Sequence, residues 1–167
     1  MNDIRDLKKE ENGMGGFLEG KFDSLLFKCE ATIEISVDEG TTEEYAEKCV
    51  QHFNSLNNEM IKKIKDWVNK FYLYTLDEID EEFAEEIKEN MLDYKGKENI
   101  LEYLSNLHMY VFYPKDDRIG YNIECNCPWE PEQQCSIIIR ENEVLYVGPS
   151  EGFNAWSDGE FFCIWED

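Results

Sequence analysis

Three thiols stand close together in "NIECNCPWEPEQQCSIII", residues 122 to 139: Cys125, Cys127 and Cys135, with Trp129 and the carboxylates Glu124, Glu130 and Glu132 among them. These residue types bind zinc or exchange disulfides, so their spacing has to decide between the two. A structural zinc ion takes four ligands, usually as two pairs such as C-x2-C whose thiolates reach one tetrahedral centre. The chain offers C-x-C. On a strand Cys125 and Cys127 point to one face and Cys135 can meet them across a hairpin, but no fourth ligand is near in sequence. A redox pair would need C-x-x-C at a helix start, or a basic neighbour to lower a thiol pKa, and both are missing. The spacing favours Cys125 and Cys135 as small core residues with Trp129 packed over them, and no metal or cofactor is expected.

Other reactive types are equally uninformative. His52 sits at helical spacing between Gln51 and Asn54, His108 begins a strand, and neither adjoins a Cys or Ser in a nucleophile pattern. Both are expected to be structural. With 38 of 167 residues acidic, paired carboxylates carry little information, and a glycosidase pair cannot be picked out by spacing. "GMGG" precedes no strand-to-helix turn of the phosphate-binding form. No catalytic residue is assigned, and the chain is expected not to be an enzyme.

The acids stand out by arrangement. Between Asp77 and Asp93 there are nine acids and one base, Lys88. At about 100° per residue, Glu78, Glu82, Glu85 and Glu89 fall in one row on a helix. Like charges four apart destabilise a helix by about 0.2–0.5 kcal/mol per pair, and only first-turn acids are offset by the macrodipole. The row is either a solvated face or a surface that steers a basic partner. The tail "GFNAWSDGEFFCIWED" crowds five aromatics among acids, and Trp156 and Trp165 have the composition of interface anchors as well as of core.

The whole composition points the same way. Sixteen basic against 38 acidic residues leave a formal charge of -22, which repels nucleic acid and anionic membranes and attracts a basic protein within a Debye length of about 8 Å. A chain of 167 residues suits one domain, 1–167, with 1–16 as a loosely packed terminus, and 42% hydrophobic content is ample for a core. The first dozen residues mix charges, and no run approaches the roughly 18 apolar residues of a membrane span. A cytoplasmic location is expected, with the six cysteines as free thiols.

The elements that must position these groups follow from periodicity. "SLLFK" and the alternation of Ile33, Ile35 and Val37 with Glu34 and Ser36 predict strands from Phe17 to Val37. Thr41 with Glu44 predicts a capping box, opening one long helix or two through Tyr45, Cys49, Phe53, Leu56, Ile61, Ile64 and Phe71. Thr75 with Glu78 predicts a second box, opening a helix that buries Leu76, Ile79, Phe83, Ile87 and Met91. A short helical turn falls near Ile100. "MYVFYP", "RIGYNIEC", "CSIIIR" and "EVLYVG" predict four strands, the last two joined by Glu141-Asn142 as a two-residue hairpin loop. The class is α+β: amino-terminal strands, central helices, and a carboxy-terminal antiparallel meander with helices packed on one face.

The stretch from Met109 to Gly148 resembles the closing half of an uncharacterised bacterial domain family, with a strand, a Trp-Asp/Glu-Pro/Asp-Glu-His-Gly turn and a hairpin ending in Val-Gly. "TTEEYAEKC" and "KFYLY" resemble its helix start and aromatic pair. Where that pattern has Glu-His-Gly, this chain has Glu132-Gln133-Gln134, so an imidazole that would ligate a metal or move a proton at the turn is absent. Small acidic domains of this kind also resemble immunity proteins, which occlude a basic toxin. The function expected is therefore an acidic binding protein for a basic partner such as a toxin domain, with Glu78, Glu82, Glu85, Glu89, Trp156 and Trp165 as candidate contacts. Two alternatives stay open: a metal-binding protein or hydrolase using acids and cysteines, and a non-enzymatic scaffold.

Overall fold

The computed structural model describes residues 3–9, 16–157 and 161–166. Alternation along the chain becomes alternation across a sheet. In β3, Cys29–Ser36, Ala31, Ile33 and Ile35 are buried while Thr32 and Glu34 turn to the opposite face. β4, Ser105–Val111, alternates likewise, whereas β5, Gly120–Asn126, and β6, Cys135–Arg140, are buried on both faces; with β7, Glu143–Gly148, they pair as the antiparallel meander that the four apolar runs predicted. On the other side of β3 lie β2, Phe17–Ser24, and β1, Arg5–Lys9.

All seven strands form one sheet in sequence order, and every pairing is antiparallel except β3 with β4. A parallel pair needs a crossover, and the helices between Ser36 and Ser105 supply it. The class is α+β, with a mostly antiparallel sheet and the helices in the middle of the chain.

Several local expectations differ from the structure. The amino terminus is not loose over Arg5–Lys9, which forms the edge strand, and the neighbouring Ile4 is buried; residues 10–15 lie outside the described residues. "SLLFK" is the turn between β2 and β3. Its apolar side chains serve packing: Phe27 stacks on Phe53 at 6.1 Å, while Asn54 Oδ1 accepts from Leu25 N at 2.9 Å.

The helix starts also differ. α1, Glu43–Phe53, is capped by Thr42, whose side chain accepts from Tyr45 N at 3.1 Å, and Thr41 is buried instead. α2, Asn58–Glu78, is capped by Asn57, which accepts from Met60 N at 2.9 Å.

The second predicted capping box does not form. Thr75 lies within α2, and its hydroxyl donates to Phe71 O at 2.9 Å, the back-bond available to a buried threonine in a helix. α3, Glu81–Glu89, starts only after Ile79 leaves the helix in an extended conformation. Counting an apolar stripe across that break put Phe83 in the core. The structure instead buries Ala84, half-buries Ile87 and leaves Phe83 59% exposed.

The main core lies between the helices and one sheet face. Phe53, Ile64, Val68 and Phe71 share it with Ile33, Met109, Ile123 and Ile137. A smaller core on the other face joins Ile138 and Tyr146 to Ala155, Trp156 and Cys163. The tail then returns to the helices at Trp165, which meets Trp67 of α2 edge-on at 5.0 Å. Among the described residues no helix is long and apolar enough to cross a membrane.

Candidate functional site

All nine acids of the run from Asp77 to Asp93 are exposed. They do not form one helical row: Glu78 is the last residue of α2, and Glu82, Glu85 and Glu89 lie on α3. Among the described residues the one ion pair in the run is Lys88 with Glu85, at 3.6 Å. Phe83 projects from the same helix, and Leu92, 85% exposed, follows it. Phe83 and Leu92 are thus exposed on a segment rich in carboxylates that have little local neutralisation.

The two tryptophans are less available. Trp156 is only 6% exposed, and Gly120 leaves it room, since a Cβ there would come within 3.0 Å of the indole. Trp165 is half-buried, its Nε1 donating to Val147 O at 2.8 Å and its ring under Lys70. Both hold the tail to the sheet, and Trp156 is no projecting anchor.

The thiols are architecture by geometry. Cys125 and Cys135 face each other across β5 and β6, and Cys125 Sγ donates to Cys135 O at 3.7 Å. Cys127 Sγ donates to Glu130 O at 3.8 Å, and burial pushes this thiol up to about 12. The Cys135 thiol is raised too, first by its contact with Cys125 and then by burial. Cys127 and Cys135 stay protonated at neutral pH, and the described residues contain no cluster of three or more His, Cys, Asp or Glu able to hold a metal. Trp129 caps the same core, edge-on to Phe71 at 5.8 Å and tilted against Tyr72 at 5.1 Å.

His52 Nδ1 shares a hydrogen bond with the buried Tyr121 hydroxyl at 2.7 Å, and desolvation lowers its pKa, so it is held neutral. His108 has a richer setting. Strand register places Thr32, His108, Glu124 and Ser136 side by side on β3 to β6, on the face away from the helices. Thr32 Oγ1 hydrogen-bonds His108 Nδ1, and His108 Nε2 lies 3.4 Å from Glu34 Oε1.

Sequence reasoning missed this polar row. Its members alternate correctly with core residues, but they become neighbours only through the register of four strands, which no local spacing encodes.

Beside the row is an open cleft of about 240 Å³ lined by Tyr110, Phe112, Asn122, Glu124, Ser150 and Phe153 among others. Ser150 Oγ donates to Glu124 Oε1 at 3.2 Å. Burial raises the Glu124 carboxyl to about 7, against the partial opposing effect of Ser136 and Ser150.

A seven-stranded mixed sheet with a helical crossover between its third and fourth strands, and an acidic exterior on its helices, defines a small α+β domain. The chain belongs to the family described as Domain of unknown function (DUF6985), which matches residues 4–154. The expected kinship with an uncharacterised domain family is correct at that level. Glu78, Glu82, Glu85 and Glu89 fall within the matched stretch, whereas Trp156 and Trp165 lie beyond it. No curated protein and no solved structure matches the chain.

Proposed function

We propose that this domain is a non-catalytic binding protein that acts in the cytoplasm, as an immunity protein does, by covering a basic protein partner such as a toxin domain. The observation that carries the reading is Phe83: an exposed aromatic on a helix whose surroundings are exposed carboxylates. Burying an aromatic at the centre of a contact gives affinity, while a charged rim gives rate and selectivity. Glu82, Glu85 and Glu89 would supply that charge from the adjoining side of α3, with Glu78 contributing from the end of α2.

The formal charge of -22 supports the same conclusion, because it favours encounter with cations and disfavours nucleic acid and anionic lipid. The thiols and His52 are engaged in packing and hydrogen bonds, which leaves the acidic exterior as the main feature offered to a macromolecule. The test is to co-express the chain with each protein encoded beside its gene. A stoichiometric complex, and survival of cells otherwise killed by that neighbour, are the expected results. An unprotected cell and no complex would remove the proposal.

A further inference from the structure

The last turns of α2 and the tail enclose an open cleft of about 580 Å³, walled by Trp67, Leu73, Tyr74 and Trp165 and bordered by Asp77 and Glu166. Lys70, Leu73, Tyr74 and Asp77 follow one another at helical spacing and so share one face of α2. Trp165 forms the facing wall, held by its edge-on contact with Trp67 at 5.0 Å and by its Nε1 bond to Val147 O.

Several of these groups are unspent. Among the described residues the Tyr74 ring meets no other ring and its hydroxyl makes no hydrogen bond, and the carboxylates of Asp77 and Glu166 enter no ion pair or hydrogen bond. Leu73 is 46% exposed beside them. The indoles already attract cations of the chain itself: Lys63 Nζ lies 4.6 Å from the Trp67 ring and Lys70 Nζ 5.4 Å from that of Trp165. Lys70, the one cation among the described lining residues, is paired with Asp66 at 3.3 Å, which leaves the two border carboxylates unanswered.

We propose that this cleft receives the guanidinium of an arginine on a protein partner, stacked on Tyr74 and hydrogen-bonded to Asp77 and Glu166, with Leu73 against its methylenes. The inference rests on the reading of the partner as a basic protein and adds to it a second anchor point besides Phe83. Asp77 opens the acidic run and adjoins Glu78, so the cleft continues the surface assigned to that partner.

The chemistry selects arginine among cations. A guanidinium is planar and weakly hydrated, stacks on aromatic faces, and presents in-plane donors to more than one carboxylate. A lysine ammonium is a strongly hydrated point charge that gains less from a ring at an open site. Because Asp77, Glu166 and Leu73 are all exposed, the ligand reaches them without opening the fold.

The full chain, isotopically labelled, is titrated at constant ionic strength with Nα-acetyl-arginine methylamide, with the lysine derivative, and with the citrulline derivative as the uncharged isostere. Saturable NMR shifts are expected with arginine at the indole Nε1 resonances of Trp67 and Trp165 and at the amides of Tyr74 and Asp77. Citrulline should give none, and lysine should bind more weakly. Asp77→Asn, Glu166→Gln and Tyr74→Leu should each weaken arginine binding about threefold, with resonances remote from the cleft in place. Equal responses to arginine and citrulline, lysine binding as tightly as arginine, or undiminished affinity in any of the three variants would each overturn the site. Arginine binding here while no neighbour-encoded protein forms a complex supports the cleft and removes the immunity reading. A complex that leaves these resonances unmoved overturns the cleft and keeps that reading.

Discussion

Glu124 is the residue whose environment departs furthest from what its type suggests. Its ordinary value is 4.5, and burial raises it to about 7, so between those values the folded chain holds a proton that the unfolded chain has lost. Stability from this group is full below pH 4.5 and is lost as pH rises through 7, by an amount on the order of 3 kcal/mol. Glu124→Gln should therefore be more stable than the parent at pH 8 and nearly equal to it at pH 4.5, as read from urea midpoints at the two values. A difference independent of pH would contradict the burial.

Such a residue is illegible in sequence, because Glu124 is one acid among 38 and only strand register gives it His108 and Ser136 as neighbours. The thiols were more legible. Cys125 facing Cys135 across the strand pair follows from period two and the apolar runs around them.

At the scale of elements, the four carboxy-terminal strands and the Glu141-Asn142 loop were readable because their apolar runs are bounded by turn residues. Even the awkward Glu at a two-residue loop has a physical resolution. Glu141 takes φ 51°, and its backbone N donates to Ile119 O at 2.8 Å while its carboxylate accepts from Ile119 N at 2.9 Å.

Helix starts were less readable, since Thr followed by Glu three residues on occurs both at caps and inside helices. The cap geometry now makes distinct predictions. Asn57→Ala should lower stability by about 1 kcal/mol, because it removes a bond to Met60 N. Asp80→Ala should cost less, since Asp80 makes no side-chain cap bond, and paired denaturation curves measure the difference. Phe83→Ser separates the two readings of α3. A core phenylalanine would be strongly destabilised by the change, whereas at 59% exposure the shift should stay within about 0.5 kcal/mol.

On the scale of the whole molecule, charge decides the behaviour and the fold decides where the charge is presented. One sheet face is covered by helices that carry the acids of residues 77–93 outward; part of the other is covered by the tail, whose Ala155, Trp156 and Cys163 share a core with Ile138 and Tyr146 of the sheet. Composition alone gave the sign of the charge, because 38 acids against 16 bases need no fold to be counted. It did not predict the presentation. The break at Ile79 and Asp80 turns a supposed core stripe into an exposed Phe83 and separates Glu78 from the other three carboxylates.

The most direct measurement is the affinity for any basic protein found encoded next to this gene, followed across salt concentration for the parent chain and for Glu82→Lys with Glu85→Lys. An acidic recognition surface predicts affinity that weakens as salt rises, with association slowed at least tenfold at low salt in the doubly reversed chain and its salt dependence flattened. Binding that ignores both salt and charge reversal would contradict recognition through the acidic helix.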